Sequence, residues 1–303
     1  MDKSDQDRWT SELLDEVFVA FAHHTGLSQC LVFKGARVLA RRLPSAARQS
    51  LDIDSNLTEE FVRAHPDRGE QQSLLQTWIE AALRRQFERN SPVRYTLTKV
   101  TIRRKPPRGH MRGWDAFEVK LSVSDHRHPT TRAFPAPTID IAAPESLTNA
   151  SVQLLEVSDD VTIFAYTLVR QTAEKLRAFL TSLPAYRTKL GGERDRGAIR
   201  AKDLYDLAKI ARQHPIPDDV EFWSAVGREF KHACETRFVD CNDKASFWQS
   251  VVETRATYEQ SGVLGDDVPF TEAERVVDAV VALFLKLGIL PFEYPLSDAL
   301  SSN

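Results

Sequence analysis

Residues Leu31–Asn56 read LVFKGARVLARRLPSAARQSLDIDSN. An apolar run, Leu31 to Phe33, meets Lys34-Gly35; a helix-like segment follows, and the stretch ends in Arg48-x-Ser50-x-Asp52-Ile53-Asp54. On a strand, residues two apart point to the same side, so Asp52 and Asp54 share a face while Ile53 turns to the core. Two adjacent carboxylates repel, and they stay ionised at neutral pH when a cation lies between them; Mg²⁺, with its preference for oxygen ligands, suits that role. A nucleoside triphosphate would arrive with such a metal. Gly35, lacking a Cβ, lets the backbone come close to a phosphate, Ser50 adds a hydroxyl donor, and Lys34, Arg37 and Arg48 supply counter-charge. Taken singly, a D-x-D pair is surface chemistry and a glycine after an apolar run is a turn. The order of strand, glycine turn, helix-like segment and second strand joins them into a phosphate-approach turn followed by a divalent-metal site.

Further along, PTIDIAAPES (137–146) sets Asp140 between Ile139 and Ile141 on a predicted strand. Two further blocks, AYTLVRQTAEKLRAFL (165–180) and IRAKDLYDLAKI (199–210), carry helical periodicity, the first from Thr172. In the first, Ala173, Leu176 and Leu180 recur at helical spacing and leave Lys175 on the flank of the apolar stripe, free to reach a site. In the second, Leu204, Leu207 and Ile210 face the core, and Asp203 and Asp206 are neighbours at i and i+3. Asp203 lies close to the stripe, where a carboxylate needs a partner. The plainer alternatives are a solvated lysine and acids favoured in a helix's first turn.

These blocks, in this order, resemble the nucleotidyltransferase family that includes the AbiEii/AbiGii-type toxins of type IV toxin-antitoxin systems, within the DNA polymerase beta-like superfamily. Its members carry an apolar strand, K-G-G, a short helix and R-x-[ST]-x-D-[IL]-D, then an L-D-[IV] strand, then Y-x-x-E-x-x-[IA]-A-E-K-x-x-A and R-x-K-D-x-x-D-[IL]. Ala36 stands where the second glycine is common, Val169 where the first Glu would be, and Thr172 where a small apolar residue is usual. The resemblance implies an α+β chain, with a polymerase-beta-like mixed sheet domain over 1–168 and a mainly helical domain over 169–303. It implies a Mg²⁺-dependent enzyme, using two ions, that moves a nucleotide from an NTP to an acceptor hydroxyl. Asp52, Asp54 and Asp140 would hold the metal, with Asp140 also helping to deprotonate the acceptor. Gly35 and Ser50 would meet the β and γ phosphates, Lys175 would clamp the triphosphate, and Asp203 would orient it or the base. Lys34, Arg48, Lys202 and Asp206 complete the expected nucleotide-binding set. The acceptor implied is the 3′ end of an RNA such as tRNA, the outcome a block of translation, and the partner a separately encoded antitoxin. Ser50 is also a candidate for inhibitory phosphorylation, since phosphate there would crowd the triphosphate.

Composition is consistent with two ordinary domains. The chain has 303 residues, 42% of them apolar, with five Trp and 16 Phe, enough for two cores at about 100–200 residues per domain. Three cysteines, Cys30, Cys234 and Cys241, form neither a disulfide framework nor a C-x-x-C zinc spacing. With no apolar run near the ~18–20 residues of a membrane span and a polar start, MDKSDQDRWT, the expectation is a cytoplasmic protein.

The net charge is −3, which argues against a uniformly basic surface, yet two basic clusters stand out. KVTIRRKPPRGHMR (99–112) gathers Arg103, Arg104, Lys105 and Arg108 where Pro and Gly break regularity, and it is predicted to join VRYTLTKVTIR to AFEVKLSVSD as a long hairpin. It is either a grip on a phosphate backbone or a solvated loop. Arg194, Arg196 and Arg200 form the second candidate RNA-binding group, beside Gly191-Gly192. Helices are predicted over Glu12–His23, Gln72–Phe87, Val220–Phe230, Ala245–Tyr258 and Thr271–Leu287, with strands dominating Val93–Phe164 and helices from Thr172 onward. Two other function classes stay open: a catalytically silent binding module on the same fold, and a metal-dependent nuclease built on Asp115, Glu118 and Lys120.

Overall fold

The computed structural model describes residues 2–46, 50–107, 114–129, 134–158, 161–182, 200–237 and 239–293. Arg48, Arg108, Arg194, Arg196 and the LSDALSSN tail lie outside them. The chain divides into two compact units, Met1–Glu145 with Val152–Tyr166, and Ser146–Ser151 with Thr167–Asn303.

The first unit begins with α1 (Lys3–His23), longer than the Glu12–His23 predicted. Asp2 caps it by accepting the Asp5 backbone N–H at 2.8 Å, and Trp9 and Leu13 carry the buried stripe toward the start. After α2 (Thr25–Cys30) come β1 (Leu31–Lys34), α3 (Gly35–Arg42), β2 (Asp52–Leu57), α4 (Glu59–Ala64) and α5 (Arg68–Arg89), the last capped by Asp67. Strands β3 (Tyr95–Lys105), β4 (Ala116–Asp125), β5 (Thr138–Ala142), β6 (Val152–Ser158) and β7 (Val161–Tyr166) complete one mixed sheet of order β3-β4-β5-β2-β1-β7-β6. Strand β2 runs parallel to β5, and β1 parallel to β7; the other neighbours are antiparallel.

The expected hairpin is present, Arg103 pairing with Glu118 and Thr101 with Lys120. A register shift between Leu97 and Lys99 inserts an extra residue, so Leu97 and Val100 both reach the core although they lie three apart. One sheet face buries Ile53, Val119, Leu121, Ile139 and Ile141 in a core shared with Phe18 and Phe21 of α1 and with Leu75, Ile79 and Leu83 of α5. At roughly 1.5–3 kcal/mol for each large apolar side chain, this burial fixes which face of every strand is left for chemistry.

The second unit is helical: α6 (Leu168–Thr181), α7 (Ala201–Gln213), α8 (Val220–Thr236), α9 (Lys244–Glu259), α10 (Gly262–Asp267) and α11 (Phe270–Lys286). Helix α6 starts at Leu168, ahead of the Thr172 predicted, because Thr167 caps it through the Arg170 N–H. Phe230 is central to its core, with ring centroids 5.6 Å from Phe247 and 5.8 Å from Phe284. Segment Ser146–Ser151 is tied to α8 by Glu229, which accepts from Ser151 Oγ at 2.7 Å, from Thr148 Oγ1, and from Arg170 at 3.3 Å. These bonds hold the Glu229 carboxyl below the usual range even though burial, the largest single influence, pushes it up. Among the described residues no helix is long and apolar enough to cross a membrane, and all three cysteines are free and buried.

Candidate functional site

Strand register assembles the site in the first unit. Lys34 pairs with Asp54, Asp54 with Asp140, Asp140 with Glu118, and Glu118 with Arg103. Directly paired residues point to the same side of a sheet, so these five form one charged row across β1, β2, β5, β4 and β3, on the face opposite the apolar core. Asp52 lies on the same face, exposed, while Ile53 between the two acids is only 2% exposed.

Gly35 opens α3 with φ +82°, a left-handed conformation that residues with a Cβ adopt only at a cost. A Cβ there would also run into the Asp54 carboxylate. Both effects demand glycine at this position, and they put bare backbone directly beside Asp54. Lys34, at the N-cap of α3, provides no side-chain cap, and the positive end of the helix dipole at this point favours an anion. Ser50 is 5% exposed, and its Oγ donates to Asp52 Oδ1 at 2.8 Å.

Other cations expected here are already engaged. Arg37 turns inward and braces the loop: it donates to the Ser50 carbonyl at 2.8 Å, the Asp52 carbonyl at 3.2 Å and the Ser11 carbonyl at 3.1 Å, and pairs with Asp15. Burial lowers its pKa, with Asp15 and Asp52 opposing. It therefore positions the Ser50–Asp52 backbone and is not loose counter-charge. Lys34 donates to Glu145 Oε1 at 3.1 Å; Tyr166 Oη donates to Glu145 Oε2 at 2.8 Å and accepts from Asn56 Nδ2 at 2.7 Å. The Glu145 side chain is 5% exposed, so Lys34 emerges from a built network beside the glycine turn. Sequence reading passed over Glu145 and Asn56, although both lie within quoted motifs.

The carboxylates of Asp52, Asp54 and Asp140 fit a hard divalent cation by type and by shared face. Among the described residues, though, no three His, Cys, Asp or Glu side chains are already gathered about one point. Asp140 leans toward Lys105 at 3.5 Å, and Lys105 also sits 3.7 Å from Glu118.

The motif residues of the second unit form a separate cluster. Lys175 is 7% exposed, with its ammonium 2.5 Å from Asp206 and 3.6 Å from Asp203, which are 0% and 1% exposed. Arg200, its side chain exposed, also pairs with Asp203. The sequence reading left Lys175 free on a helix flank; the fold instead buries it between two acids, because α6 and α7 pack together and each charge needs a partner there. Lys202 is exposed. Of the basic hairpin residues, Arg103 and Lys105 lie on the open face, whereas Arg104 pairs with buried Phe117 and approaches Gly69 of α5, on the helix-covered side.

A family model described as "Nucleotidyl transferase AbiEii toxin, Type IV TA system" matches residues 18–275. The chain belongs to the AbiEii toxin family. It is accordingly a nucleotidyltransferase and the toxin of a toxin-antitoxin system, with an NTP as substrate and a separate antitoxin as partner. A search of curated proteins finds no match. Among solved structures, MenT4, a nucleotidyltransferase toxin from Mycobacterium tuberculosis H37Rv, is similar at 13% identity and a TM-score of 0.40, over 91% of this chain and 94% of that chain.

Proposed function

We propose that the protein uses Mg²⁺ to transfer a nucleotide from an NTP to the 3′ hydroxyl of an RNA, with tRNA as the candidate acceptor and arrest of translation as the consequence. The observation that carries this reading is the juxtaposition of Asp52, Asp54 and Asp140 on one open sheet face with the positive-φ Gly35 against Asp54. Asp52 and Asp54, with Asp140, would hold the metal, which supplies charge neutralisation on the triphosphate and on departing pyrophosphate. Gly35, whose lack of a Cβ lets a phosphate come close, lies at the positive end of the α3 dipole, which favours phosphate oxygens, and Lys34, set by Glu145, adds a cation. Ser50 orients Asp52 through its hydrogen bond. Asp140 accepts the proton of the acceptor hydroxyl as that oxygen bonds to the α-phosphorus and the bond to the bridging oxygen breaks.

The test is incubation of purified protein with total RNA and each labelled nucleoside triphosphate in turn. Wild-type protein is expected to label RNA with a preferred nucleotide in a Mg²⁺-dependent manner, and Asp52→Asn to label none while melting normally. Incorporation by Asp52→Asn at the wild-type level would overturn the assignment. RNA breakdown abolished by Glu118→Gln would favour the nuclease class, and binding without incorporation would favour a silent module.

A further inference from the structure

The charged row does not stop at the acids. On the solvent face of the β3-β4 hairpin, Lys99, Arg103, Lys105 and Lys120 are all exposed. Register places Lys99 opposite Ser122, Arg103 opposite Glu118, and Lys120 opposite Thr101 on one side and Thr138 on the other. Thr138 in turn pairs with Asp52, so the cations share the open face with Asp52, Asp54 and Asp140. Arg103 lies two strand spacings from Asp140, roughly 10 Å. Beside the cations stand the exposed hydroxyls of Ser122 and Ser124, and among the described residues of β3 and β4 this face carries no aromatic ring on which a base could stack. Cations with hydroxyls and no stacking platform match a sugar-phosphate backbone more closely than bases.

We infer that this face is the acceptor track: the 3′-terminal strand of an RNA lies across β4 and β3, its phosphates on Lys99, Arg103 and Lys120, and its terminal hydroxyl at Asp140. The inference rests on the RNA-acceptor reading above and adds where that acceptor runs. It also assigns Glu118 a role opposite to that of a nuclease carboxylate. Among the described residues Glu118 is the one acid within the track on β3 and β4, and it engages Lys120 at 3.4 Å and Lys105 at 3.7 Å. It thus withholds two cations from phosphate and weakens acceptor binding. Because the contacts are to phosphate, the track binds without sequence preference, and recognition of a particular RNA must come from elsewhere.

The experiment measures binding of a fluorescent single-stranded RNA to full-length protein by anisotropy across a salt series, in the Asp52→Asn background so that no transfer occurs. The triple variant Lys99→Gln, Arg103→Gln, Lys120→Gln is expected to bind on the order of tenfold or more weakly, and to flatten the slope of log affinity against log salt by about 2, at ~0.7 per lost phosphate contact on a single strand. Glu118→Gln is expected to tighten binding several-fold. Arg104→Gln, next in sequence but on the helix-covered side, should bind as the parent does. Wild-type-like binding by the triple variant, equal weakening by Arg104→Gln, weaker binding by Glu118→Gln, or displacement by polyglutamate as effective as by unlabelled RNA would each overturn the track. The two readings fail separately. A wild-type enzyme that labels RNA while the triple variant binds it normally removes the track and leaves the transferase, whereas a wild-type enzyme that labels no RNA removes the acceptor reading itself.

Discussion

The molecule contains two pairs of aspartates set at short spacing, and the fold treats them in opposite ways. Asp52 and Asp54 lie on the strand face turned away from the core, where Asp52 is steadied by the Ser50 hydroxyl and the two carboxylates stand side by side. Asp203 and Asp206 lie on α7, almost wholly buried, and their charge is met from inside by Lys175 and at the edge by Arg200. Strand geometry turns residues two apart outward together, while helix geometry turns residues three apart toward a packed neighbour. One sequence chemistry therefore yields an open charged face in one unit and an internal brace in the other, and the environment decides which.

Substitution of one residue at a time can break this contrast. The largest stability effect is expected in the brace. Asp206→Ala leaves the Lys175 ammonium buried without its nearest partner, which should cost about 3–5 kcal/mol in denaturant unfolding; Asp54→Asn, an isosteric change at a half-exposed strand residue that keeps a hydrogen-bonding side chain, should cost about 1 kcal/mol or less. Equal losses at the two positions would abolish the distinction. Next is Gly35→Ala, which forces a side chain into the left-handed region at about 1–2 kcal/mol and pushes on Asp54. Its loss of nucleotide incorporation should exceed what its melting temperature accounts for. Glu145→Gln keeps the shape of the Lys34 network but removes the charge that holds the ammonium, so KM for the NTP should rise several-fold with a smaller change in kcat; a fall in kcat alone would argue against positioning.

The smallest effect concerns pH and the second unit. The folded pKa of Glu229 lies below its ordinary value of 4.5, so the unfolded chain binds its proton first as pH falls. The stabilisation is fully present above about that ordinary value and is lost as pH drops through the lower folded one. Chemical unfolding followed from pH 6 to pH 3 should show a decline that Glu229→Gln partly removes, whereas an unchanged decline would mean that Glu229 carries none of it.

What the sequence showed follows from what periodicity can report. The strand, glycine, helix and D-x-D order was legible because Leu31–Phe33 and Ile53 declare the core side, and the acids must then lie on the other. Asp140 was legible between Ile139 and Ile141 for the same reason. Arg37 and Lys175 were misread as free cations, since periodicity identifies the apolar stripe but not whether a flanking long side chain turns in or out. Glu145 went unseen because its partner Lys34 lies 111 residues away, and no local pattern encodes that contact. The start of α1 was missed because its first turns are polar, and only the cap at Asp2 marks them.

The central claim is that the open-face pair is the divalent-cation site and the buried pair is not. Electron paramagnetic resonance of Mn²⁺ bound in the presence of a non-hydrolysable nucleoside triphosphate tests it directly, on protein variants that remain folded. The account predicts that Asp52→Asn and Asp54→Asn lose the bound-Mn²⁺ signal while Asp203→Asn retains it. Retention in both strand variants, or loss only in Asp203→Asn, would contradict it.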